Sequence, residues 1–241
     1  MPPSRIDDPR FVHEQYEDAE NLAARKSAYA NAEGPDPREI AWRVIAEAKP
    51  RRVLEVGGGE GELAERIVRE LGAELVGVDQ SSRMVEIQRS QGIDARIGDV
   101  QELPFGDGEF DLAVAAWMLY HVADPERALR ELARVLKPAG RLVAVTNGVD
   151  HFRELRELAA QEPVFRRGVF SRENGEAFLE PHFARVERYD ADGWVTMDDD
   201  AIRRYAASWE LCRPILDLPR FEAPLRVRRA PTIFVAEGPR G

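Results

Sequence analysis

The sequence contains one cysteine, Cys212. A lone thiol excludes an internal disulfide framework and suits a reducing compartment, so a cytoplasmic location is expected. Long apolar runs are missing too. No stretch approaches the ~20 apolar residues that a membrane span requires, so no membrane partner is expected. The opening segment "MPPSRIDDPRF" has no signal-peptide core. Basic charge is in deficit: 34 Lys and Arg stand against 44 Asp and Glu, a formal net charge of −10. That balance argues against nucleic acid as a partner, because polyanion binding leaves a basic stripe. The short cluster "RVRR", Arg226 to Arg229, reads instead as a solvated face. Repeats and low-complexity tracts are absent. What remains is an ordinary globular composition, 44% hydrophobic and 32% charged over 241 residues.

Apolar periodicity then organises the chain. Residues 1–48 read as a polar, helix-rich segment with one helix in "EDAENLAARKSAYANA" and a second from Pro37 to Ala48. From 50 to 147 the pattern alternates. Strands at 53–56, 74–79, 94–99, 110–117 and 141–146 are separated by helices at 61–71, 81–91 and 125–136. Such alternation predicts a parallel sheet covered by helices on both faces. Asp124 and Pro125 form a cap and first turn for the last of these helices, and "KPAG" ends it. Residues 148–241 change rhythm. "HFRELRELA", "SRENGEAFLEPHF" and "DDDAIRRYAASWELC" look helical, whereas "ARVERYDADGWVTM" and "TIFVAEG" look strand-like. They are expected to add the last sheet strands and a helical cover within one domain.

The stretch "VLEVGGGEGELAERI" places four glycines in five positions, Gly57, Gly58, Gly59 and Gly61, between a strand and a helix. Without Cβ atoms, such a turn lets backbone approach a ligand closely. Open parallel sheets bind ligands beyond the carboxyl ends of their strands. A P-loop requires Gly-Lys-Ser/Thr, and Gly61 is followed by Glu62-Leu63. A dinucleotide site requires G-x-G-x-x-G, and Glu62 occupies the place of the third glycine. Glu60 and Glu62 also set negative charge where a pyrophosphate would lie, with nothing basic nearby in sequence. S-adenosylmethionine (SAM) suits the loop better: it carries a sulfonium, an ammonium and one carboxylate, and no phosphate. Glu55 can face the ammonium, and the N–H groups opening the following helix can receive the carboxylate.

"VLEVGGGEG", "LVGVDQS", "IGDVQELPF", "FDLAVAAWMLYHV" and "RVLKPAGRLVAVT" occur in that order across about residues 50–147. In this the chain resembles the class I SAM-dependent methyltransferases of the small-molecule type. The resemblance implies an α/β, Rossmann-like, doubly wound and mostly parallel seven-stranded sheet, helices on both faces and a helical N-terminal lid. It implies SAM as cofactor, S-adenosylhomocysteine (SAH) as product, and a small-molecule acceptor methylated on oxygen or nitrogen, by a monomer or homodimer. A non-catalytic SAM-binding or protein-interaction module with the same fold is the alternative.

The resemblance also distributes roles. Asp79 would hold the ribose hydroxyls, with Gln80 beside it, although Asp79 can equally cap the next helix. Asp99 and the Val100 backbone would meet the adenine, and Met84 is as suited to the core as to an adenine contact. Ala116 and Trp117 end the fourth strand, where methyl and acceptor meet. Catechol-type members hold a metal through an aspartate there and an Asp-Asn pair after the next strand. Trp117 and Thr146-Asn147 stand at those places, so no metal is expected. His121 is the candidate general base, or a brace for its loop, and Tyr120 is a second candidate. Tyr16 and Arg25 would close over the methionine moiety, with Tyr29 able to replace Tyr16. Trp194, Trp209 and Tyr205 can line an acceptor pocket or pack a core.

Overall fold

The computed structural model describes residues 6–8, 10–12, 19–159 and 168–240. Helix α1 (Ala19–Ser27), strand β1 (Ala32–Glu33) and helix α2 (Pro37–Glu47) lead into the alternating region. There β2 (Arg52–Val56), α3 (Glu62–Leu71), β3 (Glu74–Asp79), α4 (Ser82–Ser90), β4 (Asp94–Ile97) and β5 (Phe110–Ala116) follow one another. Helix α5 (Pro125–Val135) and strand β6 (Leu136–Asn147) close it. Then come α6 (Arg153–Leu158), α7 (Gly175–Leu179), β7 (Phe183–Asp190), β8 (Gly193–Met197), α8 (Asp199–Ser208), β9 (Leu225–Arg229) and β10 (Pro231–Pro239).

Among the described residues, seven strands form one sheet in the order β4-β3-β2-β5-β6-β10-β7. The five strands from β4 to β6 are parallel, and β10 runs antiparallel between β6 and β7. Order reverses beside β2, so the glycine turn opens at the switch between two halves of the sheet. Adjacent residues serve opposite faces. Val53 packs with Ile45 of α2, Ile67 of α3 and Val85 of α4, while Leu54 packs with Leu129 and Leu132 of α5. The inner positions of these strands are mostly apolar because both faces are covered.

The caps follow local chemistry. Asp124 Oδ1 accepts the Arg127 N–H at 3.0 Å, with Pro125 in the first turn. Ser81 caps α4 by accepting the Met84 N–H at 3.3 Å. "KPAG" does follow the helix but lies within β6, whose pairing with β5 skips from Phe110↔Leu136 to Leu112↔Arg141. The extra residues are accommodated as a bulge.

The later third departs further from expectation. "ARVERYDADGWVTM" is two strands in different sheets: β7 edges the large sheet, and β8 pairs with β1 and β9 in a three-stranded antiparallel sheet. "RVRR" lies in β9, and Arg229 is buried there, donating to the Glu33 carbonyl at 2.8 Å. The reading of that cluster as a solvated face is therefore corrected: alternate side chains point inward, as strand geometry demands. The small sheet packs with α1, α6 and α8 around Val195, Met197, Ile202, Ile215 and Val227, forming a cap. No helix among the described residues is long and apolar enough to cross a membrane.

Candidate functional site

Three backbone hydrogen bonds gather the strand ends. Gly57 N–H donates to the Val78 carbonyl at 2.8 Å, Gly98 N–H to Asp79 at 3.0 Å, and Trp117 N–H to Val145 at 2.8 Å. The glycine turn, Asp79, the Asp99 loop and Ala116-Trp117 thus share one rim. Gly57, Gly59 and Gly61 have φ of 63°, 56° and 83°, a left-handed geometry that L residues resist. At Gly58 the reason is space: a Cβ would stand 2.3 Å from Glu55 Oε2.

Glu55 is 2% exposed, directly beneath this turn, and its Oε2 has no hydrogen-bond partner among the described residues. Burial, then the charge of Asp79, pushes its pKa up to about 7. Asp79 is raised as well, chiefly by burial, against the pull of the Ser81, Gly59 and Gln80 amides. Its Oδ1 accepts the Ser81 N–H at 2.9 Å. Two desolvated carboxylates therefore face one turn, an arrangement that attracts a cation and repels a polyphosphate.

Helix α3 starts at Glu62 after the left-handed Gly61, with no side-chain cap on its first N–H groups. Asp99 is held by Gln101, whose N–H and Nε2 both reach Oδ1, at 2.9 and 3.0 Å. Val100 and Met84 are buried at 3% and 1%, whereas Gln80 is exposed beside Asp79.

Trp117 has φ 54°, unusual for a bulky residue, and strain of this kind gathers at functional sites. Tyr120 packs edge-on against His121, with centroids 4.4 Å apart. His121 Nδ1 lies 3.0 Å from the Ile6 carbonyl, which can only accept, so Nδ1 carries the proton and Nε2 the lone pair. Burial lowers the pKa of His121 to about 4, keeping the ring neutral.

The methyltransferase domain family matches residues 54–144. An uncharacterized methyltransferase of Mycobacterium tuberculosis is 38% identical over 185 residues, 73% of this chain and 70% of that protein. The chain belongs to the SAM-dependent methyltransferases. Demethylmenaquinone methyltransferase of Thermus thermophilus is 39% identical over 119 residues, 44% of this chain and 54% of that enzyme. The crystal structure of the YcgJ protein of Bacillus subtilis shares the fold, with TM-score 0.64 and 21% identity over 85% of this chain and 100% of that one.

In this methyltransferase the structure brings Glu55, the glycine turn, Asp79 and Trp117 together, with His121 and Tyr120 in the short turn after β5. Arg25 stacks over Trp209, 5.1 Å from the ring centroid, and Trp209 lies 6.4 Å from His121. Tyr16 lies outside the described residues. Tyr205 and Trp209 share the cap cluster, but Trp194 stands apart under Arg226 on the small sheet. No group of three or more His, Cys, Asp and Glu side chains able to hold a metal occurs among the described residues.

Three residues escaped sequence reasoning. Lys26 of α1 bonds Glu60 at 2.7 Å and Glu62 at 3.0 Å, so the acidic turn does have a basic neighbour, from a distant helix. Leu22, one turn earlier on α1, stands 3.4 Å from where a Gly59 Cβ would be. Gln88 of α4 is 1% exposed and donates through Nε2 to the Gly59 carbonyl at 2.8 Å. Its signal was a buried-side position on α4, which does not reveal what an amide will bond.

Proposed function

We propose that this methyltransferase moves the methyl group of SAM to an oxygen or nitrogen of a small apolar or aromatic metabolite. The observation that carries this reading is Glu55 Oε2, without a hydrogen-bond partner among the described residues, beside Asp79 beneath a turn that tolerates no Cβ at Gly58. A cation fits there and satisfies the orphaned oxygen. SAM supplies a methyl on a sulfonium, open to in-line displacement.

The chain's part is to bind, align and exclude water. Glu55 takes the ammonium, the N–H groups opening α3 the carboxylate, and Asp79 the ribose hydroxyls with Gln80 alongside. Asp99 and Val100 meet the adenine above Met84. Ala116 and Trp117 border the acceptor. Arg25, held over Trp209, closes the methionine side, and residues 1–48 act as the lid over the 50–147 core. A conjugate acid near 4 makes His121 a weak base, so a neutral amine or an acidic phenol suits the site better than an aliphatic alcohol. One relative is named for a small-molecule acceptor, demethylmenaquinone, which supports a metabolite rather than a macromolecule.

Calorimetric titration with SAM and SAH, beside Asp79→Ala and with NAD as control, tests the reading. Micromolar binding by the wild type, weakened by about a hundredfold in the variant and absent for NAD, is expected. Folded protein that binds neither sulfur nucleoside overturns it.

A further inference from the structure

Arg156, on α6 in the cap, is 8% exposed. Its Nη2 donates to the Val149 carbonyl, but Nε and Nη1 have no hydrogen-bond partner among the described residues. A buried guanidinium edge with two idle donors is costly, and folded proteins normally pair such charges. Carboxylates stand near but are engaged elsewhere. Asp150 pairs with the Arg228 guanidinium at 2.7 Å, and Glu154 accepts the Arg228 N–H at 3.0 Å.

Arg172, another buried arginine, pairs through Nε and Nη2, whereas buried Arg229 also has an Nε without a partner among the described residues. Arg172 donates to Asp192, to the Thr232 hydroxyl at 2.6 Å and to the Pro231 carbonyl at 3.0 Å. Around Arg156 the surroundings are aromatic. Phe152 stacks on Tyr29 and His151, with centroids 5.4 and 4.4 Å apart, and takes the edge of Tyr205 at 5.2 Å. The Ala230 N–H donates to His151 Nδ1 at 3.0 Å, so His151 Nε2 is the protonated nitrogen and faces the Tyr29 hydroxyl at 3.0 Å. The charge of Arg156 is felt by His151, Tyr205 and Cys212 alike. Arg156, Arg229 and Arg172 all bear on His151, so positive charge gathers around this ring cluster.

We propose that the Nε–Nη1 edge of Arg156 is an oxyanion subsite that receives a carboxylate or phosphate group of the methyl acceptor, whose aromatic or apolar body lies along Tyr29, Phe152 and Tyr205. Guanidinium presents parallel donors matched to the two oxygens of such a group. The inference rests on the proposed transfer to a small molecule, and it names the acceptor's class.

Thermal unfolding of the full chain, with and without saturating SAH, separates the two. Sodium formate and sodium phosphate are the probes, with sodium chloride at matched ionic strength as control, on wild type, Arg156→Met and Arg156→Lys. Wild type is expected to gain roughly 2–5 °C at tenfold excess over the dissociation constant of the preferred anion. Response to formate alone marks a carboxylate, and response to phosphate alone a phosphate. Arg156→Met should lose the response, keep its shift with SAH, and melt at or above the wild type without anion, because an idle buried charge has gone. Arg156→Lys should keep a weaker response. An oxyanion shift that persists in Arg156→Met, or a wild type that ignores both anions, overturns the proposal. So does an Arg156→Met that melts far below the wild type while Arg156→Lys restores it without any anion response. Failure of SAH to shift any of the three proteins counts against the cofactor reading, and leaves the anion result standing.

Discussion

The sheet and the cap are built from different chemistry. In the sheet and the α5 face against it, Leu54, Leu112, Leu129, Leu132 and Phe234 are fully buried, and the buried polar side chains of the strands are Glu55, Thr146, Asn147 and Thr232. Between α1, α6, α8 and the small sheet, the buried set includes Arg156, Ser208, Arg229 and Cys212 beside Tyr29 and Tyr205. One region is stabilised by apolar area and close packing. The other adds to its apolar cluster long polar side chains, aromatic edges and ion pairs, whose strength changes with pH and salt. The rim with the glycine turn lies on the sheet, and Trp209 of the cap comes within 6.4 Å of His121 beside it.

The most severe way to test that contrast is a pair of truncations. Leu132→Ala, in the sheet core, is expected to cost about 3–5 kcal/mol in urea unfolding. Ile215→Ala, in the cap, should cost about 2–3 kcal/mol and leave SAH affinity within twofold. Equal costs together with equal losses of SAH binding would erase the distinction.

Next comes the carboxylate under the turn. Because the folded pKa of Glu55 is raised from 4.5 to about 7, the folded chain holds that proton more tightly than the unfolded chain. Stability therefore falls as pH climbs from about 4.5 to 7, by roughly 3 kcal/mol in total. Glu55→Gln should remove this slope and raise apo stability at pH 8, while SAM binding weakens at least tenfold. A variant with the same pH slope as wild type rules Glu55 out as its source.

The cap should answer pH in the opposite sense. Burial first, then Arg156, Arg229 and Arg172, lowers the pKa of His151 from 6.5 to about 3, so its ring stays neutral in the fold. Stability from this group is complete above pH 6.5 and is lost as pH falls toward 3. With solvent contact on the half-buried ring discounted, the loss is about 2 kcal/mol. Urea midpoints of wild type and His151→Gln should converge on acidification from pH 7 to 5. Parallel curves would move the acid sensitivity elsewhere.

The smallest effect is expected at the seam. Lys26→Met removes the ion pairs to Glu60 and Glu62, which are partly exposed, and should weaken SAH binding about two- to fivefold. Wild-type affinity should approach that of the variant in 1 M salt, where the Debye length is ~3 Å. A difference unchanged by salt would make the contact one of packing, through Leu22 on Gly59, rather than of charge.

Legibility in the sequence follows the range of the interactions. Strands β2 to β6, their helices and the glycine turn are written in periods of two and 3.6 residues and in capping residues such as Asp124-Pro125. Each is decided within about ten neighbouring residues. The small sheet was missed for the complementary reason. Strand β1 is two residues long, and its partner Trp194 lies far along the chain from Glu33, so no local window contains the pair. A weak sign did exist in "LRVRR", where Leu225 and Val227 alternate with arginines, but the charges masked it.

By itself, then, the sequence determined the parallel sheet, the place of the glycine turn and the acids that border it, because backbone propensity and burial pattern are local properties. Tertiary structure alone decided that Lys26 meets Glu60, that Gln88 holds the Gly59 carbonyl, that His121 stays neutral against Ile6, and that Arg156 is buried with an edge to spare. These are facts about charge and desolvation, and a side chain acquires its dielectric surroundings only when distant segments close around it.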